Sequence, residues 1–181
     1  MFHIKVDEEV SLQMLTALDA DRLYKITDES RTSLKQWLPW VEMIQSEKDS
    51  LLFIKQALQA YLDFRQITAG IFMKDVLVGV IGFNRIDSTN KIASIGYWLT
   101  KESEGKGIMT RAVSAFVTYG FAELLLNKIE IRVAIDNKKS RAIPERLHFK
   151  QEGIIRDAEK LPQQYVDHAL YGILKREWNN P

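Results

Sequence analysis

The chain has 181 residues, 46% of them hydrophobic and 27% charged; it can bury one full core or at most two small ones, and a single domain over 1–181 is expected. Acids and bases are interspersed and the formal net charge is +1, which excludes the large field that direct nucleic-acid or anionic-membrane binding would use and favours small or neutral partners. No cysteine is present, ruling out disulfides, thiolate metal sites and a cysteine nucleophile; His3, His148 and His168 have no ligand-like spacing, so no metal is expected.

The segment from Met1 to Val10 lacks a basic stretch followed by an apolar one, and no apolar run approaches the ~20 residues that span a bilayer, so a cytoplasmic protein is expected. Phe2 to Val6 is a candidate first strand. Asp19 to Glu29 reads as a helix with Leu23 and Ile26 facing inward, and a second short helix leads into Trp37-Leu38-Pro39-Trp40. Ser46 or Asp49 can cap the next helix, where Leu51, Ile54, Leu58, Tyr61 and Leu62 recur at helical spacing before Gln66. Three strands follow, Ile67 to Met73, Val76 to Ile86 and Ile92 to Leu99. Lys74-Asp75 and Ser88-Thr89-Asn90 are short polar breaks between them, which predicts an antiparallel meander.

Met109, Ala112, Val113, Phe116, Val117, Phe121 and Leu124 form the apolar stripe of a helix, with a strand from Ile129 to Ile135 after it. Strand, helix, strand implies a parallel crossover. Ser140 to Leu147 reads as a shorter helix, and Phe149 to Ile155 and Ala169 to Lys175 as two closing strands. The expected class is α+β: one domain with a mixed, mostly antiparallel sheet and helices on both faces.

Gly105-Lys106-Gly107 stands where the strand ending at Leu99 hands over to a helix. Glycines there let the backbone approach a ligand closely, while the free amides of the first helical turn carry the positive end of the helix dipole. Such a site suits a phosphate or pyrophosphate; a turn that needs positive φ is the alternative the glycines alone favour. It is no P-loop, since Thr100 and Gly107 stand where Gly and Ser or Thr are required. Nor is it a dinucleotide fingerprint, since Thr110 replaces the third glycine.

Glu102-Ser103-Glu104-Gly105-Lys106-Gly107 resembles the Gln/Arg-x-x-Gly-x-Gly/Ala loop of the GNAT superfamily of acetyl-CoA-dependent N-acetyltransferases, with Glu102 at the Gln/Arg position. Asn137-Lys138-Lys139-Ser140 resembles that superfamily's Asn-x-x-Ser segment; the usual Gly-Phe further on is His148-Phe149 here, and Pro144 is expected early in the helix, where no amide bond is lost. Leu34 to Trp40, Gly153 to Glu159, and Tyr165, Asp167 and Tyr171 are similar to the branch that acetylates the N-terminal serine or alanine of ribosomal proteins.

The resemblance implies acetyl-CoA as co-substrate. The amides of Gly105, Lys106, Gly107, Ile108 and Met109 would hold its pyrophosphate, while Trp98, Leu99 and Thr100 would pair with the pantetheine arm, which Asn137 and Ser140 would also meet. It implies Glu159 as the base, with a water as the alternative, Ser140 as proton donor to the thiolate, and an amide near Leu99 as oxyanion donor. Trp37 and Trp40 would wall the acceptor groove. The partner would be a protein or peptide N-terminus, ribosomal by this resemblance, and the state a homodimer. A small-amine (polyamine or drug) acetyltransferase and a non-catalytic acetyl-CoA-binding module are the competing readings. His168, a lone histidine, reads as structural.

Overall fold

The chain opens with a hairpin of which the sequence pattern revealed only the first strand. In a computed structural model that describes residues 2–178, β1 (His3–Lys5) pairs antiparallel with β2 (Val10–Met14). Val10 and Leu12 of β2 are fully buried. The Asp7 carboxylate accepts from the amides of Glu9 and Val10, both at 2.8 Å, and so closes the turn between them.

The helices α1 (Ala20–Glu29), α2 (Arg31–Leu34) and α3 (Glu47–Leu62) follow, with Ser46 at the N-cap position of α3. The meander is as expected: β3 (Ile67–Met73), β4 (Val76–Asp87) and β5 (Ile92–Leu99), each antiparallel to the next. Its first turn has Lys74 at φ 48° and Asp75 at φ 66°, the left-handed pair whose twist matches that of the flanking strands. α4 (Ile108–Ala122) then crosses over to β6 (Lys128–Ala134), which runs parallel to β5. α5 (Lys138–Arg146), β7 (Lys150–Lys160) and β8 (Tyr165–Leu174) complete one eight-stranded sheet in the order β1-β2-β3-β4-β5-β6-β8-β7. β7 runs further and β8 starts earlier than the sequence pattern indicated, because β7 is largely exposed and shows little apolar alternation.

The strands carry apolar residues on both faces because helices cover both. On one face Ile71, Ile81, Phe83, Ile95 and Ile131 pack under α4, where the Phe116 ring stacks on Phe83 at 4.3 Å. On the other, Phe72, Leu77 and Val80 pack under Leu23 of α1 and Ile54 of α3. Phe116→Ala would leave a void in the larger core and cost about 3–5 kcal/mol.

Candidate active site

β5 and β6 are paired only from Ile92↔Lys128 to Ile95↔Ile131. Beyond that each strand keeps its outer partner, β5 as far as Leu99↔Gly79 and β6 as far as Ala134↔His168. The inner backbone edges therefore diverge. The register of β4 slips at Asn84, opposite the last paired residues of β5; a bulge there bends its strand and adds twist where the gap begins. The gap widens into a cleft of about 1590 Å³.

One lip is the glycine loop. Thr100 and Ser103 are buried and joined hydroxyl to hydroxyl at 2.9 Å, and the Thr100 amide donates to the Val78 carbonyl at 2.8 Å, which anchors the loop to the sheet. Gly105 (φ 76°) and Gly107 (φ 70°) are both left-handed, and a Cβ at either would meet nothing within 4 Å. Both therefore face open cleft. Gly107 is the N-cap of α4, and its carbonyl accepts from Arg111, leaving the amides of Ile108, Met109 and Thr110 with no partner inside the helix. A row of free amides beside room for a ligand, at a positive helix end, fits a pyrophosphate.

The other lip is the start of α5. Asn137 caps it, its side chain accepting from the Ser140 amide at 3.2 Å. The helix begins two residues earlier than the sequence pattern indicated, so Pro144 lies in its interior rather than in its first turn. A proline there has no N–H for the carbonyl four residues back, and that carbonyl belongs to Ser140. The Tyr97 hydroxyl supplies the missing bond, donating to Ser140 O at 3.0 Å, and the Ser140 hydroxyl donates to the Tyr97 oxygen at 3.4 Å. Burial pushes the Tyr97 phenol well above the ordinary tyrosine range, so it stays protonated and available as a donor. At the far end of α5, His148 adopts φ 60°, the left-handed helix stop that glycine usually provides.

The lips are linked by charge. Glu104 of the loop accepts from Lys139 of α5 at 2.6 Å, and Lys101 lies 3.5 Å away. Around the cleft Lys101, Arg111, Arg132, Lys138, Lys139 and Arg146 outnumber Glu104, Asp136 and Glu159, an excess that suits an anionic co-substrate.

Glu159, His168 and two tryptophans also line the cleft. The register from Ile155↔His168 to Glu159↔Val166 sets three residues of β7 against one of β8. A regular ladder would put Asp157 opposite Val166; the bulge puts Glu159 there instead. It is held by Asp157, left-handed at φ 47°, whose amide donates to the Asp167 carboxylate at 2.9 Å. Trp37 packs on Ala134, Leu161 and Val166, and Trp40 tilts against Trp98 with ring centroids 6.1 Å apart. Arg31 fixes the turn bearing Trp40 by donating to the carbonyls of Val41 and Ile44 at 2.7 and 2.6 Å.

Residues 9–150 match the family model described as acetyltransferase (GNAT) domain. The chain belongs to this family. It is an acetyl-CoA-dependent N-acetyltransferase of α+β fold. The putative ribosomal N-acetyltransferase YdaF of Bacillus subtilis is 39% identical to it over 98% of both chains. The ribosomal-protein-serine acetyltransferase of Escherichia coli is 33% identical, over 93% of this chain and 94% of that one. Among solved structures, RimL, a ribosomal L7/L12 alpha-N-protein acetyltransferase in complex with coenzyme A, superposes with a TM-score of 0.93 at 26% identity, covering 96% of this chain and 98% of that chain.

Within this acetyltransferase the cleft gathers most residues singled out from sequence. Trp98, Leu99, Gly105, Gly107, Ile108 and Met109 line it on one side and Asn137, Ser140, Glu159, Trp37 and Trp40 elsewhere. The Thr100 side chain is turned into the protein, and Lys106 is exposed outside the cleft wall. Tyr97, which the sequence pattern does not single out, and His168, which it marks as structural, also line the cleft. Tyr97 lies two residues from the gap's start in a strand already recognised, but its partner is 43 residues away.

Proposed function

We propose that this acetyltransferase modifies the α-amine of a protein N-terminus, with a ribosomal protein as acceptor, in the cytoplasm. The observation that carries the reading is one cleft at the gap between β5 and β6, lined both by the glycine loop with its free helix-terminal amides and by Glu159, Trp37 and Trp40. The whole-length similarity to ribosomal-protein acetyltransferases supports the acceptor class. The amides from Gly105 to Met109 hold the pyrophosphate, and the unpaired edge of β5 takes the pantetheine amides as an added strand. The main-chain edge near Leu99 polarises the thioester carbonyl, Ser140 gives a proton to the departing sulfur, and Glu159 takes one from the attacking amine. No enzyme-bound acyl group is needed: an α-amine, with a pKa near 7.7–8.0, is partly neutral at pH 7 to 8, and orientation in the gap supplies part of the rate.

The basic excess around the cleft disfavours a polyamine, which would be repelled on approach. Thiol release measured with acetyl-CoA and free peptides beginning with Ser or Ala, with their N-terminally blocked forms, and with spermidine tests this. Turnover with the free peptides alone, and mass spectrometry placing the acetyl group on the α-nitrogen, is the expected result. Acetylation confined to lysine side chains or to spermidine overturns it.

A further inference from the structure

His168 and Glu159 are nine residues apart in sequence and face one another across the β7 bulge, with Nε2 of the imidazole 3.2 Å from Oε2 of the carboxylate. The His168 side chain is 14% exposed and that of Glu159 32%. Although the two atoms are within ion-pair distance, no hydrogen bond of ordinary geometry ends on Nε2, which is itself sealed from solvent. The contact is one of proximity, and the proton site on Nε2 is not committed to any other group among the described residues.

Arg156 and Lys160, which flank the bulge on β7, are exposed. On β6, Arg132 shares the face of Ala134, which pairs with His168, and its guanidinium lies 3.7 Å from Glu130. On β7 and β8, Asp157 and Asp167 are tied to each other through the Asp157 amide. Asp136, just beyond β6, lies on the exposed cleft wall, and the Trp37 segment contributes an indole. Glu159 is left as the carboxylate beside the imidazole.

We propose that His168 is the proton store behind Glu159, so that the base of this enzyme is a carboxylate–imidazole pair rather than a lone glutamate. The inference rests on the assignment of Glu159 as base. In the reaction the substrate nitrogen begins as an ammonium and gives up two protons as the N–C bond forms and the C–S bond breaks. One ends on the sulfur of coenzyme A. The other passes to Glu159 and on to Nε2, leaving carboxylate beside imidazolium until it returns through Glu159 to water after product leaves. An ordinary carboxylate is a weak acceptor for a proton from an α-ammonium, because their pKa values lie more than three units apart. Imidazoles titrate between about pH 5 and 8, much closer to the amine, so sharing the proton with His168 makes its removal less uphill. His168 lines the cleft, but its Nε2 is sealed from solvent, and its proposed part is to act through Glu159.

The test is the pH dependence of kcat at saturating acetyl-CoA and peptide for the wild type, His168→Gln and Glu159→Gln, with acetyl-CoA affinity measured alongside. The wild-type profile should fall on its acid side as the pair takes up its proton. His168→Gln should lose that limb and turn over about tenfold more slowly at pH 7.5, with affinity unchanged. A His168→Gln profile that keeps the wild-type limb overturns the proposal, whatever its height. If Glu159→Gln is inactive while His168→Gln matches the wild type, the role of His168 alone falls; if Glu159→Gln keeps full activity, the base assignment falls with it.

Discussion

The hydroxyl of Tyr97 donates to the carbonyl of Ser140, 3.0 Å away on the opposite lip of the cleft, and it does so because Pro144 has removed that carbonyl's helical donor. A break in one helix is thereby converted into a tie between β5 and α5, and it holds the residue assigned to protonate the sulfur. Tyr97→Phe should cost about 1 kcal/mol through the unpaired carbonyl. In a Pro144→Ala background, where an amide again reaches Ser140, most of that cost should vanish. Urea denaturation of the two single variants and the double variant measures the coupling. Simple additivity would mean that Tyr97 does not stand in for the lost amide.

Gly107→Glu should abolish acetyl-CoA binding. The space beside Gly107 is open, so the side chain can be placed, but it brings a negative charge to the seat assigned to the pyrophosphate and must adopt φ 70°. Gly107→Ala bears only the backbone strain, about 1–2 kcal/mol in stability, and should still bind. Calorimetry on the folded variants separates charge from strain, and retained affinity in Gly107→Glu would remove the phosphate seat from this loop.

Glu159→Gln and Ser140→Ala should fail differently. Loss of a base lowers kcat by about 10²–10⁴-fold, and the loss should shrink at alkaline pH where the amine is neutral unaided. Ser140→Ala removes a donor to sulfur, so its smaller defect should not follow amine ionisation. Parallel pH–rate profiles for Glu159→Gln and the wild type would return the role of base to water.

The Glu104–Lys139 bridge should make stability acid-sensitive in a defined range. Burial pushes the Glu104 carboxyl up, but its hydrogen bonds and charge contacts with Lys139 and Lys101 outweigh this and hold it below the ordinary 4.5. A carboxylate with a depressed folded value contributes stability above its unfolded pKa and loses it as pH falls through the folded one. The wild type should therefore lose part of its Tm advantage over Glu104→Gln below about pH 4.5, and the difference between them should be constant at pH 6 to 8. The effect should be small because both side chains are solvated, and 0.5 M salt should reduce it.

Much of the fold was legible in the sequence because it is written in local periodicity. Apolar residues at helical spacing from Met109 to Phe121, and strands broken at Lys74-Asp75 and Ser88-Thr89-Asn90, specify elements whatever lies around them. The Gly105-Lys106-Gly107 loop and the Asn137 cap were readable for a related reason: positive φ and free amides at a helix start each restrict the residue type at one position. The branch resemblance brought Trp37, Trp40 and Glu159 forward as candidates. Tertiary structure alone decided the rest. The gap between β5 and β6 exists because each strand is held by its outer partner, which is a matter of pairing between distant segments. Glu159 faces the cleft because a bulge shifts β7 against β8, and a register shift leaves no mark in the alternation of exposed residues. The closeness of His168 to Glu159 is set by that same bulge, and Pro144 reads as a first-turn residue only while its helix is placed two residues late. Local sequence encodes which way the chain turns; the contacts of a single histidine across a bulge, or of a tyrosine with a carbonyl 43 residues on, are made only when the segments close against one another.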